Sequence, residues 1–166
     1  MNLKEYIELN GEREIVDIET LEKCLEPKKP KTIYDIEKDA PYFVLYADGT
    51  IVMRFWSNSD VDKKRRLSGY AFLTEEEAEI RKKMLMIEEE LIRLGGRRQF
   101  KVGKDNYYLN FKFADGYIIH RNTNESMGNE IYFDTQEKIV DAVTQIGTQR
   151  LIDEYFKPRI VEENQE

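Results

Sequence analysis

The chain has 166 residues, a net charge of −7 and 36% Asp, Glu, Lys and Arg, well above the quarter or so usual in soluble domains. Ten Tyr, eight Phe and one Trp exclude a wholly disordered chain, because disordered sequences are poor in aromatics. The acidity excludes a protein that coats nucleic acid non-specifically, since phosphates repel such a surface, and it suits a partner that is itself basic.

Cys24 is the single cysteine, so no internal disulfide forms and a reducing compartment is the default. Lys4, Glu5 and Glu8 stand where a secretory signal needs an apolar stretch, and the apolar runs are only a few residues long. The expectation is a cytoplasmic protein with no membrane partner.

Residues 1–39 form an N-terminal hairpin and helix segment. Tyr6 to Leu9 and Glu12 to Val16 flank Asn10-Gly11, a strong type I′ turn signal because both central residues need positive φ. Asp17 can then cap a brief helix whose apolar side is Ile18, Leu21, Cys24 and Leu25, stopped by Pro27. Lys28-Lys29-Pro30-Lys31 is a basic connector. A helix over residues 3–9 is the alternative.

A first βββα module spans 40–98. Tyr42 to Tyr46 is a strand, Asp48-Gly49 its turn and Thr50 to Trp56 the return strand. A polar stretch from Ser57 to Arg66 reads as turn and loop, and Tyr70-Ala71-Phe72 as a short strand. Thr74 with Glu77 makes a capping box that opens a helix ending near Leu94, where Gly95-Gly96 supplies the stop. Ile80, Met84, Ile87, Leu91 and Leu94 make one stripe, which Leu85, Met86 and Ile92 widen beyond what one small sheet covers. Burial of the helix between two modules accounts for that width better than a seam for another chain, which would run under three heptads. Met53, Met84 and Met86 read as gap-filling core.

The order then recurs over 99–158. Tyr107 to Phe111 is a strand, Asp115-Gly116 a turn, Tyr117 to His120 the return, and Ile131-Tyr132-Phe133 a short strand before Thr135 and a helix that ends at Gly147. Asp48-Gly49 matches Asp115-Gly116, Phe72 matches Phe133, Thr74 matches Thr135 and Glu76 matches Glu137, which indicates a duplicated unit. A last helical stretch carries Leu151, Ile152, Tyr155 and Phe156 and stops at Pro158. Residues 159–166 are a polar, flexible tail. The fold class is therefore α+β, with two tandem βββα modules after a short N-terminal segment.

Chemistry-bearing patterns are scarce. One His and one Cys cannot assemble a zinc site. Asn58-Ser59-Asp60-Val61-Asp62 looks like the start of a calcium loop, but Lys63 and Lys64 stand where the loop needs glycine, so it reads as a turn. No serine has a motif around it, His120 is the only imidazole, and Gly95-Gly96 follows a helix where a phosphate loop would precede one. The reading assigns no catalytic residue, no metal ligand and no cofactor. Two charged groupings remain. Glu75, Glu76, Glu79, Glu88 and Glu89 lie on one helix and are candidates for contacting a basic partner protein. Lys63, Lys64, Arg65, Arg66, Arg97 and Arg98, with exposed tyrosines, are the candidates if the protein instead binds nucleic acid.

The run Tyr107-Tyr108, Ile131-Tyr132-Phe133-Asp134-Thr135-Gln136-Glu137, Ile146-Gly147 and Tyr155-Phe156, with Phe72-Leu73-Thr74-Glu75-Glu76-Glu77-Ala78 before it, resembles a family of small uncharacterised phage and mobile-element proteins of low-GC Gram-positive bacteria. The resemblance covers residues 42–156, and its motifs are strand ends and helix caps, so it carries over no catalytic residue. It implies a non-enzymatic viral accessory protein in a bacterial host cell that binds a host protein. Inhibitors of nucleic-acid-targeting defence enzymes, anti-CRISPR proteins among them, are one such class.

Overall fold

The structure, a computed structural model, describes residues 5–9, 12–16, 32–128 and 130–159. The N-terminal strands β1 (Glu5–Leu9) and β2 (Glu12–Val16) pair antiparallel from Glu5 with Val16 to Leu9 with Glu12, as the hairpin reading expects. The Asn10-Gly11 turn itself, the helix read from Ile18 to Leu25, the 28–31 connector and the tail beyond Arg159 lie outside the described residues.

Two three-stranded antiparallel sheets follow. The first contains β3 (Pro41–Leu45), β4 (Ile51–Phe55) and β5 (Ala71–Phe72), in the order β4-β3-β5. The second contains β6 (Tyr107–Lys112), β7 (Tyr117–Asn122) and β8 (Tyr132–Phe133), in the order β7-β6-β8. In both, a hairpin is completed by a two-residue strand on the far side of its first strand. Phe72 pairs with Phe43, and Phe133 pairs with Tyr107. The helices after the short strands are α2 (Glu75–Arg93) and α3 (Gln136–Ile146), each opened by a threonine. Thr74 Oγ1 accepts from Glu77 N at 3.2 Å while the Glu77 carboxylate accepts from Thr74 N at 3.4 Å, so the expected capping box is formed.

The two modules differ in the link between return strand and short strand. In the first module this polar stretch is not a loop: Asp60–Leu67 is a helix, α1, with Ser59 as its N-cap. Its two apolar residues, Val61 and Leu67, are 55% and 74% exposed, so it carries no apolar stripe. The residue it buries is Asp62. That carboxylate accepts from Tyr42 Oη at 2.6 Å, from Ser57 N and Oγ at 3.0 and 2.6 Å, and from Ser59 Oγ at 2.8 Å. Burial pushes Asp62 upward, but the hydrogen bonds from Ser57, Tyr42 and Ser59 outweigh it and hold the group well below the ordinary 3.8. The calcium-loop look-alike is thus a helix start whose second aspartate points into the protein.

The first sheet is covered on both faces. Tyr42, Val44, Trp56 and Ala71 form a core with Ile36 on the α1 side, where Trp56 meets Tyr42 edge-on at 5.4 Å. Leu45 faces the opposite way, toward α2. The second core holds Leu109, Ile131, Phe133, Ile139, Ala142 and Ile146. To these the C-terminal segment α4 (Thr148–Leu151), which runs on as a π-helical turn over Ile152–Phe156, adds Leu151, Tyr155 and Phe156.

Helix α2 belongs to both units. It contacts all three strands of the first sheet, and its Ile87 and Leu91 are fully enclosed in the second core. Burying each such side chain is worth roughly 1.5–3 kcal/mol. The expectation that the helix is buried between modules holds, although its stripe is narrower than its sequence spacing suggests. Met84 and Leu94 are partly buried, and Ile80 is 36% exposed. Two of the three methionines read as core are half outside: Met53 lies on edge strand β4, and Met86 points away from the second core. At the end of α2, Gly95 takes φ +99 and Gly96 N donates to Leu91 O at 2.9 Å. A Cβ on Gly96 would sit 2.6 Å from Ile131 and 2.7 Å from Leu91 O, so the chain can turn from one module to the next only without a side chain there.

Two outcomes follow from this packing. Because the native pKa of Asp62 is lowered, its stabilisation is complete above 3.8 and drains away as pH falls from 3.8 toward the native value. Asp62→Asn should cost about 2–4 kcal/mol in urea denaturation near neutral pH, and its stability should fall less steeply than that of the wild type on acidification. Gly96→Ala should cost about 1–3 kcal/mol by the same assay, because neither Ile131 nor the Leu91 carbonyl can retreat freely.

Candidate functional site

A groove of about 1000 Å³ lies between the β3–β4 turn and α2, beside the candidate Glu89. The turn is built locally. Gly49 takes φ +83, its N–H donates to Tyr46 O at 2.9 Å, and Asp48 Oδ1 accepts from Thr50 N at 2.9 Å, which holds the Asp48 carboxyl below its usual range. A Cβ on Gly49 would lie 3.6 Å from Lys82 of α2, so the turn sits directly against the helix. Tyr70, which precedes β5, is fixed through its carbonyl by Leu45 N at 3.1 Å and leaves its ring 41% exposed.

From α2 the groove receives Lys82, Leu85, Met86, Glu89 and Arg93, which lie on one face at three- and four-residue intervals. Here is the reason the apolar stripe looked too wide. Ile87 and Leu91 serve the second core, while Leu85 and Met86 serve this groove, with Met86 half exposed. The floor is Leu45, Tyr70, Leu85 and Met86; the rim carries Lys82, Glu89 and Arg93.

The five glutamates picked out on this helix do not form one surface. Glu75 and Glu76 are exposed in the first turn, roughly 21 Å of helix from Glu89. Glu79 lies 3.5 Å from Lys82. Glu89 lines the groove and also accepts from Arg98 at 3.1 Å. Glu88 is buried and points the other way: its carboxylate accepts from Arg98 at 2.9 Å and from Arg159 at 3.4 Å. A carboxylate taken out of water needs such partners, so Glu88 is part of the internal framework.

The basic residues are similarly divided. Lys63 and Lys64 are exposed on α1. Arg65 donates to Tyr42 Oη at 3.1 Å and to Tyr46 Oη at 3.4 Å. The Arg66 guanidinium lies between the Tyr34 and Trp56 rings, 5.1 and 5.0 Å from their centroids. Arg97 is 12% exposed and bonds Asp134 at 3.0 Å, Asn106 Oδ1 at 2.9 Å and the Gln99 carbonyl. Buried Asn106 ties the same loop to Lys101 and Lys104. Four of the six cations are therefore engaged within the fold, a role that spacing alone could not reveal because their partners are distant in sequence.

No family model, curated protein or solved structure matches the chain. His120 is exposed on β7. Among the described residues no three His, Cys, Asp or Glu are placed to share a metal ion, and no helix is long and apolar enough to cross a membrane.

Arg97 and Lys64 separate framework from surface. Arg97→Ala should lower stability by about 2 kcal/mol in thermal or urea denaturation, whereas Lys64→Ala should stay within about 0.5 kcal/mol of wild type.

Proposed function

We propose that this protein is a non-catalytic accessory module that binds another protein through the groove between the β3–β4 turn and α2. The groove carries the reading because it joins an apolar floor, including half-exposed Met86 and Tyr70, to a charged rim of Lys82, Glu89 and Arg93. Interfaces combine an apolar centre enriched in Tyr and Met with a polar rim, and methionine adapts its shape to a partner surface. Nothing in the core requires Met86 or Tyr70 to remain in water. The ionisable side chains that converge around Asp62 and Arg97 are occupied with one another. This favours binding over catalysis.

The partner is a host protein whose contact surface sets charges of both signs around an apolar centre, matching Lys82, Glu89 and Arg93 on the rim. The resemblance to phage accessory proteins makes a nucleic-acid-targeting defence enzyme the first partner to test, with this protein acting as its inhibitor in the bacterial cytoplasm. The alternative, nucleic-acid binding, has less support, because Arg65, Arg66 and Arg97 are engaged within the fold.

Affinity capture from a Gram-positive host lysate, followed by binding measurements with the purified partner, tests this. Wild type should retain the partner, and Met86→Asp should weaken the complex by about thirtyfold or more, the loss expected at an interface centre. Equal capture by both proteins, or micromolar binding to single-stranded DNA or RNA in a gel shift, would count against the groove.

A further inference from the structure

On the other side of α2 lies a second cavity, of about 530 Å³, lined by Arg81, Met84, Glu88, Arg98, Glu130 and Arg159. It is assembled from four parts of the chain: α2, the segment after Gly96, the approach to β8 and the C-terminal turn. Three guanidinium groups converge there on one buried carboxylate. Their distances from Glu88 lengthen from 2.9 Å for Arg98 through 3.4 Å for Arg159 to 4.0 Å for Arg81.

A guanidinium has five N–H donors, and a carboxylate presents about four lone-pair sites. At these distances Glu88 saturates none of the three arginines, and it barely engages Arg81. Arg98 spends part of its outer edge on Glu89. The Arg159 guanidinium carbon lies 3.8 Å from the centroid of the Tyr155 ring, which packs against it. The arginines thus keep hydrogen-bonding capacity aimed into a cavity.

Cations arriving from separate segments do not share the single plane of a carboxylate, whereas a tetrahedral group with three peripheral oxygens can take one from each direction. The volume exceeds the needs of an inorganic anion, and Met84 and Glu130 offer the remainder of the site an apolar contact and an oxygen acceptor. We propose that this cavity binds a phosphomonoester of a hydroxylated small molecule, with the phosphate on Arg81, Arg98 and Arg159 and a hydroxyl on Glu130. Burial raises the Glu130 pKa, against the pull of Arg159 and with a further push from Glu88. The site is separate from the groove and does not depend on the protein-binding reading.

Calorimetric titration of the full chain with ribose 5-phosphate and with AMP, at constant ionic strength, tests the assignment. Saturable binding of at least one of them is expected, with none of adenosine under the same conditions. Arg81→Gln, whose side chain is 40% exposed and only 4.0 Å from Glu88, should fold normally and bind at least about tenfold more weakly. Lys64→Gln should bind as the wild type does. Absence of heat with both phosphates would overturn the proposal. So would adenosine binding as tightly as AMP, or Lys64→Gln weakening the affinity as much as Arg81→Gln.

Discussion

Helix α2 is the member that the rest of the molecule depends on. It contacts β3, β4 and β5, and its second half also supplies Ile87 and Leu91 to the core of the other module. A three-stranded sheet with one short strand has too little apolar area to be secure alone. Sharing one helix lets both sheets draw on the same buried surface. The Glu90 carboxylate strengthens the join by accepting from both terminal nitrogens of Arg150 at 2.9 Å, a bidentate pair linking α2 to the C-terminal segment. Both proposed sites lie along this helix, the groove on one flank and the arginine cavity on another.

The two modules are variations on one topology, and their differences are instructive. Both use a hairpin, a two-residue third strand and a threonine-capped helix. The first fills its link with α1 and closes the sheet face with Tyr42, Trp56 and Asp62. The second leaves the link irregular, and covers its sheet with α3 and the C-terminal turns, where Phe111 stacks on Phe156 at 5.6 Å. Similar backbones are thus held by different means: a buried polar knot in one module, and a larger apolar core in the other.

Much of this architecture was legible in the chain because it is encoded locally. Asp48-Gly49, Asp115-Gly116, Thr74 with Glu77, and Gly147 each act within a few residues, and each does what its chemistry implies. Helix α1 was not legible through hydrophobic periodicity, since what it buries is an aspartate. Its signal is Ser59 with Asp62 three positions on, a capping pair inside a stretch that reads as a turn. The candidate charged residues were the least legible. Whether Glu88 or Arg97 faces water depends on Arg159 and Asp134, and no spacing rule connects residues so far apart in sequence. The arginine cavity was hidden for the same reason.

The outer strands of the two sheets are unlike in one respect that bears on how the protein behaves when crowded. Strand β7 ends in His120, Arg121 and Asn122, all exposed, and a polar border of that kind discourages a neighbouring chain from adding a strand. Strand β4 has only Arg54 between Met53 and Phe55, which are 52% and 63% exposed. Its margin is greasy, and its resistance to edge-to-edge stacking rests on shortness and a single guanidinium. Of the two sheets, the first is the one whose border is left weakly guarded.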